Sequence, residues 1–188
     1  IDLAGELRRK RGFRRAVRWS ERFLQRSNIS DEQRALVHYF VSNAWAGLRS
    51  LNRVAEARIS WDQPEAEQEI LHLRKARSLQ TGLDPVRRCQ VHTNLGNALN
   101  VRGRIVEAIE EWDAALAVQP SFGMALGNRG RGLAWYARAY WDPGHQSYLL
   151  HAAHRDLGQA AVAPDVYAAA REQFREDQLR VESLGDSV

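Results

Sequence analysis

The pattern His92-x2-Leu95-Gly96-x2-Leu99 returns thirty-four residues later as Leu126-x2-Arg129-Gly130-x2-Leu133. Self-similarity at a period of that size implies one supersecondary unit repeated along the chain. Such a unit cannot bury its apolar face alone and must stack on its neighbours. The unit itself reads as two helices. Leu95 and Leu99 lie one turn apart, and beyond Gly103 a second set, Ala108, Trp112 and Ala115, follows at spacings of four and three. Gly96 and the alanines leave room for helices to cross closely, Trp112 fills the space between them, and Gly103 suits the turn. The glycines of NLGNALNVRGRIVEAIEEWDAALAVQP thus serve packing. They form no phosphate loop, because G-x-x-x-x-G-K-[ST] occurs nowhere in the chain.

The same helical periodicity runs through the rest of the sequence, and strand-like alternation is hard to find. It predicts helices at 2–11, 13–26, 31–50, 63–80, 85–101, 105–118, 122–141, 146–162 and 165–183. The breaks have physical causes. Ser30 with Gln33 makes a helix-start signal, Pro64 sits where a missing N–H costs little, and Gly82 and Pro85 bracket a turn. Pro120 and Pro164 follow apolar runs that they help to end. Residues 51–62 form the longest irregular candidate.

The run from Cys89 to Phe122, with small, aromatic and proline positions in order, resembles the tetratricopeptide repeat (TPR), a helix–turn–helix unit. His92, Leu99 and Trp112 stand at positions where that repeat carries aromatic residues. The resemblance implies an all-α fold over residues 1–188: a TPR-like superhelix of antiparallel helix pairs with a C-terminal capping helix. Its clearest repeat is 89–122. A second repeat, 123–164, carries about eleven extra residues around AYWDPGHQSYLL, because Ala153 and Leu157 answer Ala108 and Trp112 late. Residues 1–80 read as degenerate pairs, which makes four pairs in all, and 165–183 as the polar-faced cap. The region 89–183 also resembles the repeat segment of bacterial TPR–HEPN proteins. That likeness implies a regulatory segment preceding a metal-independent ribonuclease domain of a defence or RNA-cleavage system, and the chain stops where such a domain would begin. It begins at Ile1 rather than methionine, as a fragment, a processed product or the ordered part of something longer would.

Composition narrows the chemistry. The lone Cys89 excludes an internal disulfide and a cysteine-built zinc site, and fits a reducing cytoplasm. Asn28-Ile29-Ser30 is a glycosylation sequon that matters only in a secreted chain. No apolar run is long enough to span a bilayer, so no membrane role is expected. The net charge of +4 is concentrated at one end: residues 1–26 hold nine Arg or Lys against three Asp or Glu. Arg8, Arg9, Lys10, Arg11, Arg14, Arg15 and Arg18 make up a candidate basic patch for RNA or an acidic partner.

Two R-x4–6-H matches, Arg87–His92 and Arg138–His145, have the spacing of HEPN nuclease motifs, in which histidine does acid–base work. In a chain this rich in arginine they read as chance. His145, His151 and His154 lack convincing further ligands, so no metal or other cofactor is expected, and no catalytic constellation stands out. Recognition is the expectation instead. In TPR proteins the first helix of each pair lines a concave groove, which here assigns Thr93, Asn97, Asn100, Asn128, Arg131 and Trp135. Asn97 and Asn128 match the asparagines of TPR carboxylate clamps, while Thr93 replaces the clamp lysine. The expected function is a non-catalytic scaffold for a peptide or partner protein. The alternative is the regulatory portion of a HEPN-type ribonuclease, with RNA held at the basic N-terminus. If the extra residues fold Tyr140 and Trp141 back over the groove, Trp135 becomes core and the groove closes.

Overall fold

The computed structural model describes residues 3–56, 64–139 and 141–185, and among these all regular secondary structure is helical. Eight α-helices follow one another: α1 Leu3–Leu24, α2 Asp31–Glu56, α3 Pro64–Ser78, α4 Pro85–Val101, α5 Ile105–Val118, α6 Gly123–Ala137, α7 Pro143–Val162 and α8 Ala168–Gly185. A single 3-10 turn, Gln80–Gly82, separates α3 from α4.

The helix starts are specified locally. Ser30 Oγ accepts from the Gln33 amide at 3.2 Å, and Gln33 Oε1 accepts from the Ser30 amide at 2.9 Å. This reciprocal capping box satisfies two amides that the first turn leaves without partners. Asp84 and Asp142 each accept from the amide three residues on, with proline next in line, and so open α4 and α7. Gly103 turns the chain between α4 and α5 at φ 73°, where a side chain would be strained.

Each helix packs chiefly on the next, most extensively within the pairs α2–α3, α4–α5 and α6–α7. Helices two apart also touch. Tyr39 Oη donates to Gln90 Oε1 at 3.4 Å and Asn94 Nδ2 to Asn43 Oδ1 at 3.1 Å, joining α2 to α4. α4 meets α6, and α6 meets α8. The apolar interior forms one cluster across α2–α5, around Leu73, Leu95 and Trp112, and another across α4–α8, around Leu126, Leu157 and Phe174.

The glycines of α6 show why the helices come so close. A Cβ at Gly127 would overlap the Phe174 ring of α8, one at Gly130 would meet Leu157 and the Ala153 carbonyl of α7, and one at Gly132 would meet the Trp112 ring of α5. Three neighbours thus seat on three glycine notches. This contact offsets a helix-propensity cost of about 1 kcal/mol at each.

Three expectations are corrected. Residues 2–11 and 13–26 do not form two helices: α1 runs unbroken past Gly12, because a single glycine weakens a helix without ending it. α2 continues to Glu56, well into the stretch expected to be irregular, and 57–63 lie outside the described residues. The third concerns helix bounds: the helix expected to reach 141 ends at Ala137, and the one expected from 146 starts at Pro143. Ala153 matches Ala108, so Leu150 matches the first residue of α5, and α7 starts about two turns earlier, at Pro143. Trp141 beside it is 96% exposed, and Tyr140 lies outside the described residues.

Gly12 yields a first prediction. No atom lies within 4 Å of where its Cβ would be, so Gly12→Ala should stabilise the protein by about 0.5–1 kcal/mol through α1 propensity alone. Thermal unfolding checks this, and a Tm that stays or falls contradicts it.

Candidate functional site

Asn97, Asn100, Asn128, Arg131 and Trp135 all stand on α4 and α6, but only part of the set reaches the surface. Thr93, expected in the groove, is 3% exposed and belongs to the interior; its carbonyl accepts from Trp112 Nε1 at 3.3 Å. Position 93 lies on the side of α4 that meets α5, so a clamp cannot start there. Asn97 is half-buried, with Oδ1 accepting from the same indole at 3.1 Å. That side chain orients Trp112. Asn128 is half-buried as well, and its amide nitrogen is enclosed.

The remaining three residues make a surface. Trp135 is 67% exposed and projects between two hollows, so the tryptophan is not core. On one side a hollow of about 430 Å³ is bounded by Asn100, Gly103 and Ile105, where α4 turns into α5, together with Tyr136 and Ala139 of α6 and its C-terminal turn. On the other, a hollow of about 290 Å³ lies between α6 and α8. Its floor is apolar, from Ala134, Leu157, Val181 and Leu184, and its rim carries Arg131, Arg138, Arg180 and Asp177. Arg131 Nε pairs with Asp177 Oδ2 at 3.0 Å, and Asp177 is also 3.4 Å from Arg180. The Arg138 guanidinium sits 5.4 Å from the centre of the Trp135 ring, in cation–π range. Three cations outnumber Asp177 and the Glu176 carboxylate, 3.9 Å from Arg180, which leaves this rim positive above a floor able to take an aliphatic group.

The α8 contribution was missed in the sequence, which reads that helix only as a cap. The signal was present: Asp177, Arg180, Val181 and Leu184 follow the i, i+3, i+4, i+7 spacing of a single helix face. A second overlooked feature joins α2 and α4. The Arg87 guanidinium lies 4.9 Å from the Tyr39 ring and 5.7 Å from that of the exposed Phe40, and it donates to Gln90 Oε1 at 2.7 Å.

These contacts also place the R-x4–6-H matches. Arg87 is engaged with α2, whereas His92 is buried on another side of α4 and bonds Glu111 Oε2 through Nδ1 at 2.7 Å. Glu111 also pairs with Arg77 of α3, so His92 belongs to a contact joining α3, α4 and α5. Arg138 lies over Trp135, while His145 Nδ1 is 3.0 Å from Asp142 Oδ1 at the start of α7. Arg129 bridges Asp113 of α5 at 2.6 Å and Asp156 of α7 at 2.7 Å. Burial works against its charge, but the two carboxylates hold its pKa above the ordinary value. Among the described residues no three His, Cys, Asp or Glu side chains gather as metal ligands would.

In the basic patch, Arg8, Arg9, Arg11, Arg14, Arg15 and Arg18 are exposed. Lys10 is the exception: it is half-buried and donates to Asn52 Oδ1 of α2 at 2.7 Å. No helix among the described residues is long and apolar enough to cross a membrane. No protein-family model matches the chain, and no curated protein matches it.

Proposed function

We propose that this chain is a non-catalytic interaction scaffold, a TPR-like stack that takes an extended peptide across Trp135. The observation that carries the reading is the exposed indole standing between two hollows, one of them apolar-floored and rimmed by arginines. An exposed tryptophan beside arginine is the side-chain pairing over-represented at binding hot spots. The α6–α8 hollow suits an aliphatic side chain followed by a carboxylate, whose oxygens Arg138 and Arg180 meet with charge-assisted hydrogen bonds. Asn100, in the adjoining hollow, offers a donor and an acceptor to peptide backbone. The buried Cys89 thiol, its pKa pushed up by burial, is inert and fits a reducing cytoplasm.

The test is selection from a random peptide library with free or amidated C-termini. Bound sequences should converge on an aliphatic residue next to a carboxylate. Trp135→Ala should weaken a selected peptide by about 2 kcal/mol, roughly thirtyfold, with stability within about 0.5 kcal/mol of the parent because the ring is largely in solvent. Failure to select any sequence, or binding indifferent to Trp135→Ala, removes the reading.

A further inference from the structure

Among the described residues α1 packs chiefly on α2. Of its buried and half-buried positions, Lys10, Phe13, Val17, Ser20 and Leu24 form one stripe at spacings of three and four, with half-buried Phe23 beside it. At 3.6 residues per turn, Arg8, Arg11, Arg15, Arg18, Trp19 and Arg22 fall within an arc of about 100° on the opposite side. All six are exposed. Glu21, the one acidic residue between Arg8 and Arg22, lies outside that arc. The five arginines extend over about 21 Å of helix, with neighbours about 4.5–6 Å apart along the axis. Among the described residues none of the five has an acidic partner, although arginines elsewhere in the molecule are paired repeatedly. Like charges three and four residues apart cost helix stability, so the stripe works against the free fold.

Trp19 adds a second feature. It is 64% exposed and stacks on Phe23, with ring centres 5.9 Å apart and planes at 20°. Arg26 covers the same phenylalanine ring, 4.9 Å from its centre. A short aromatic stack is thus set among the cations.

We infer that this outer face of α1 binds single-stranded nucleic acid, phosphates on the arginine stripe and a base on the Trp19 ring. Arginine interleaved with an exposed aromatic is the pairing that holds single strands without sequence readout. An acidic polypeptide would use the cations but has no base to stack. A duplex keeps its base faces covered. A membrane would need the apolar side of α1, which α2 already occupies. The site is separate from the α6–α8 hollow and stands or falls without it.

The experiment is fluorescence anisotropy with labelled uridine and thymidine oligomers of about twelve nucleotides, within the range of known single-strand sites. A duplex of equal length and a poly-glutamate peptide are run alongside. The full chain should bind both single strands, with log K falling against log salt at a slope of about −3.5 for five phosphate contacts. Reversing Arg11, Arg15 and Arg22 to Glu should weaken binding at least a hundredfold while Tm holds or rises. Trp19→Ala should cost roughly five- to a hundredfold and leave the salt slope unchanged, with Trp141→Ala as a neutral control. The inference is overturned if the folded chain binds neither oligomer at about 50 mM salt. It is equally overturned if poly-glutamate or the duplex binds as tightly as the single strands, or if Trp19→Ala has no effect.

Discussion

Trp112→Ala should remove about 3–5 kcal/mol of stability, the range for emptying a large aromatic site in a core. The indole is 1% exposed and lies between two backbone notches, since Cβ atoms at Gly96 of α4 and Gly132 of α6 would both run into it. Its N–H bonds the Thr93 carbonyl and Asn97 Oδ1. The substitution leaves a cavity at the junction of three helices and two polar atoms short of a donor. The geometry also sets a sign for the double variant. Gly132→Ala alone should cost about 1–3 kcal/mol by overpacking. With Trp112 already alanine the ring is gone and only the flexible end of Ile105, 3.3 Å from the new Cβ, must give slightly, so the same change should gain up to about 1 kcal/mol from helix propensity. Denaturant unfolding of the four proteins measures the coupling. Additive effects would mean that Gly132 is kept for some reason other than the indole.

Acid should unfold this protein through one contact between α2 and α3. His38 and His72 are buried, with Nδ1 atoms 2.9 Å apart, a bond that needs one ring to donate and the other to accept. Burial is the main cause that lowers both pKa values to about 4. For His38 the positive potential of His72, Lys75 and Arg34 adds to it, and for His72 that of Lys75. In the unfolded chain both titrate near the ordinary value of about 6.5. Above that pH both rings are neutral in either state, and the contribution is whole. As the pH falls from about 6.5 towards 4, the unfolded chain takes up protons that the folded one refuses, so stability drops. The loss approaches about 3 kcal/mol for each histidine at pH 4 and then levels off. A second proton on the pair must also break the ring–ring bond. Against a typical total of about 5–15 kcal/mol this is enough to bring unfolding into mild acid. Replacing both rings with phenylalanine removes donor and acceptor together, a near-neutral exchange at pH 8, and should flatten stability between pH 6.5 and 4. A double variant as acid-sensitive as the parent would place the cause elsewhere.

The helical character and several of the breaks were legible in the amino acids because their causes are local, whereas the ends of α1, α2, α6 and α7 differ from those expected. The Ser30–Gln33 box, the break at Gly82 and Pro85, and the left-handed turn at Gly103 each act within a few residues, whereas the Asp142 cap that opens α7 at Pro143 was not read from the sequence. The Leu95–Leu99 and Ala108–Trp112–Ala115 faces follow from helical period alone. That the small residues of α4 and α6 serve packing was legible too, since a run of glycines costs helix stability that a close neighbour offsets. Which element covers which glycine was not. Gly127 faces α8, Gly130 α7 and Gly132 α5, and those choices depend on how the pairs stack. The same limit governed the candidate groove. The TPR resemblance puts Thr93 and Trp135 alike on groove-lining helices, but rotation about the helix axis separates an interior hydroxyl from an exposed indole. That rotation is set by neighbours far away in the chain. Tertiary structure alone brings Asp177 and Arg180 of α8 beside Arg131, and joins His38 to His72, because each contact depends on where two helices cross.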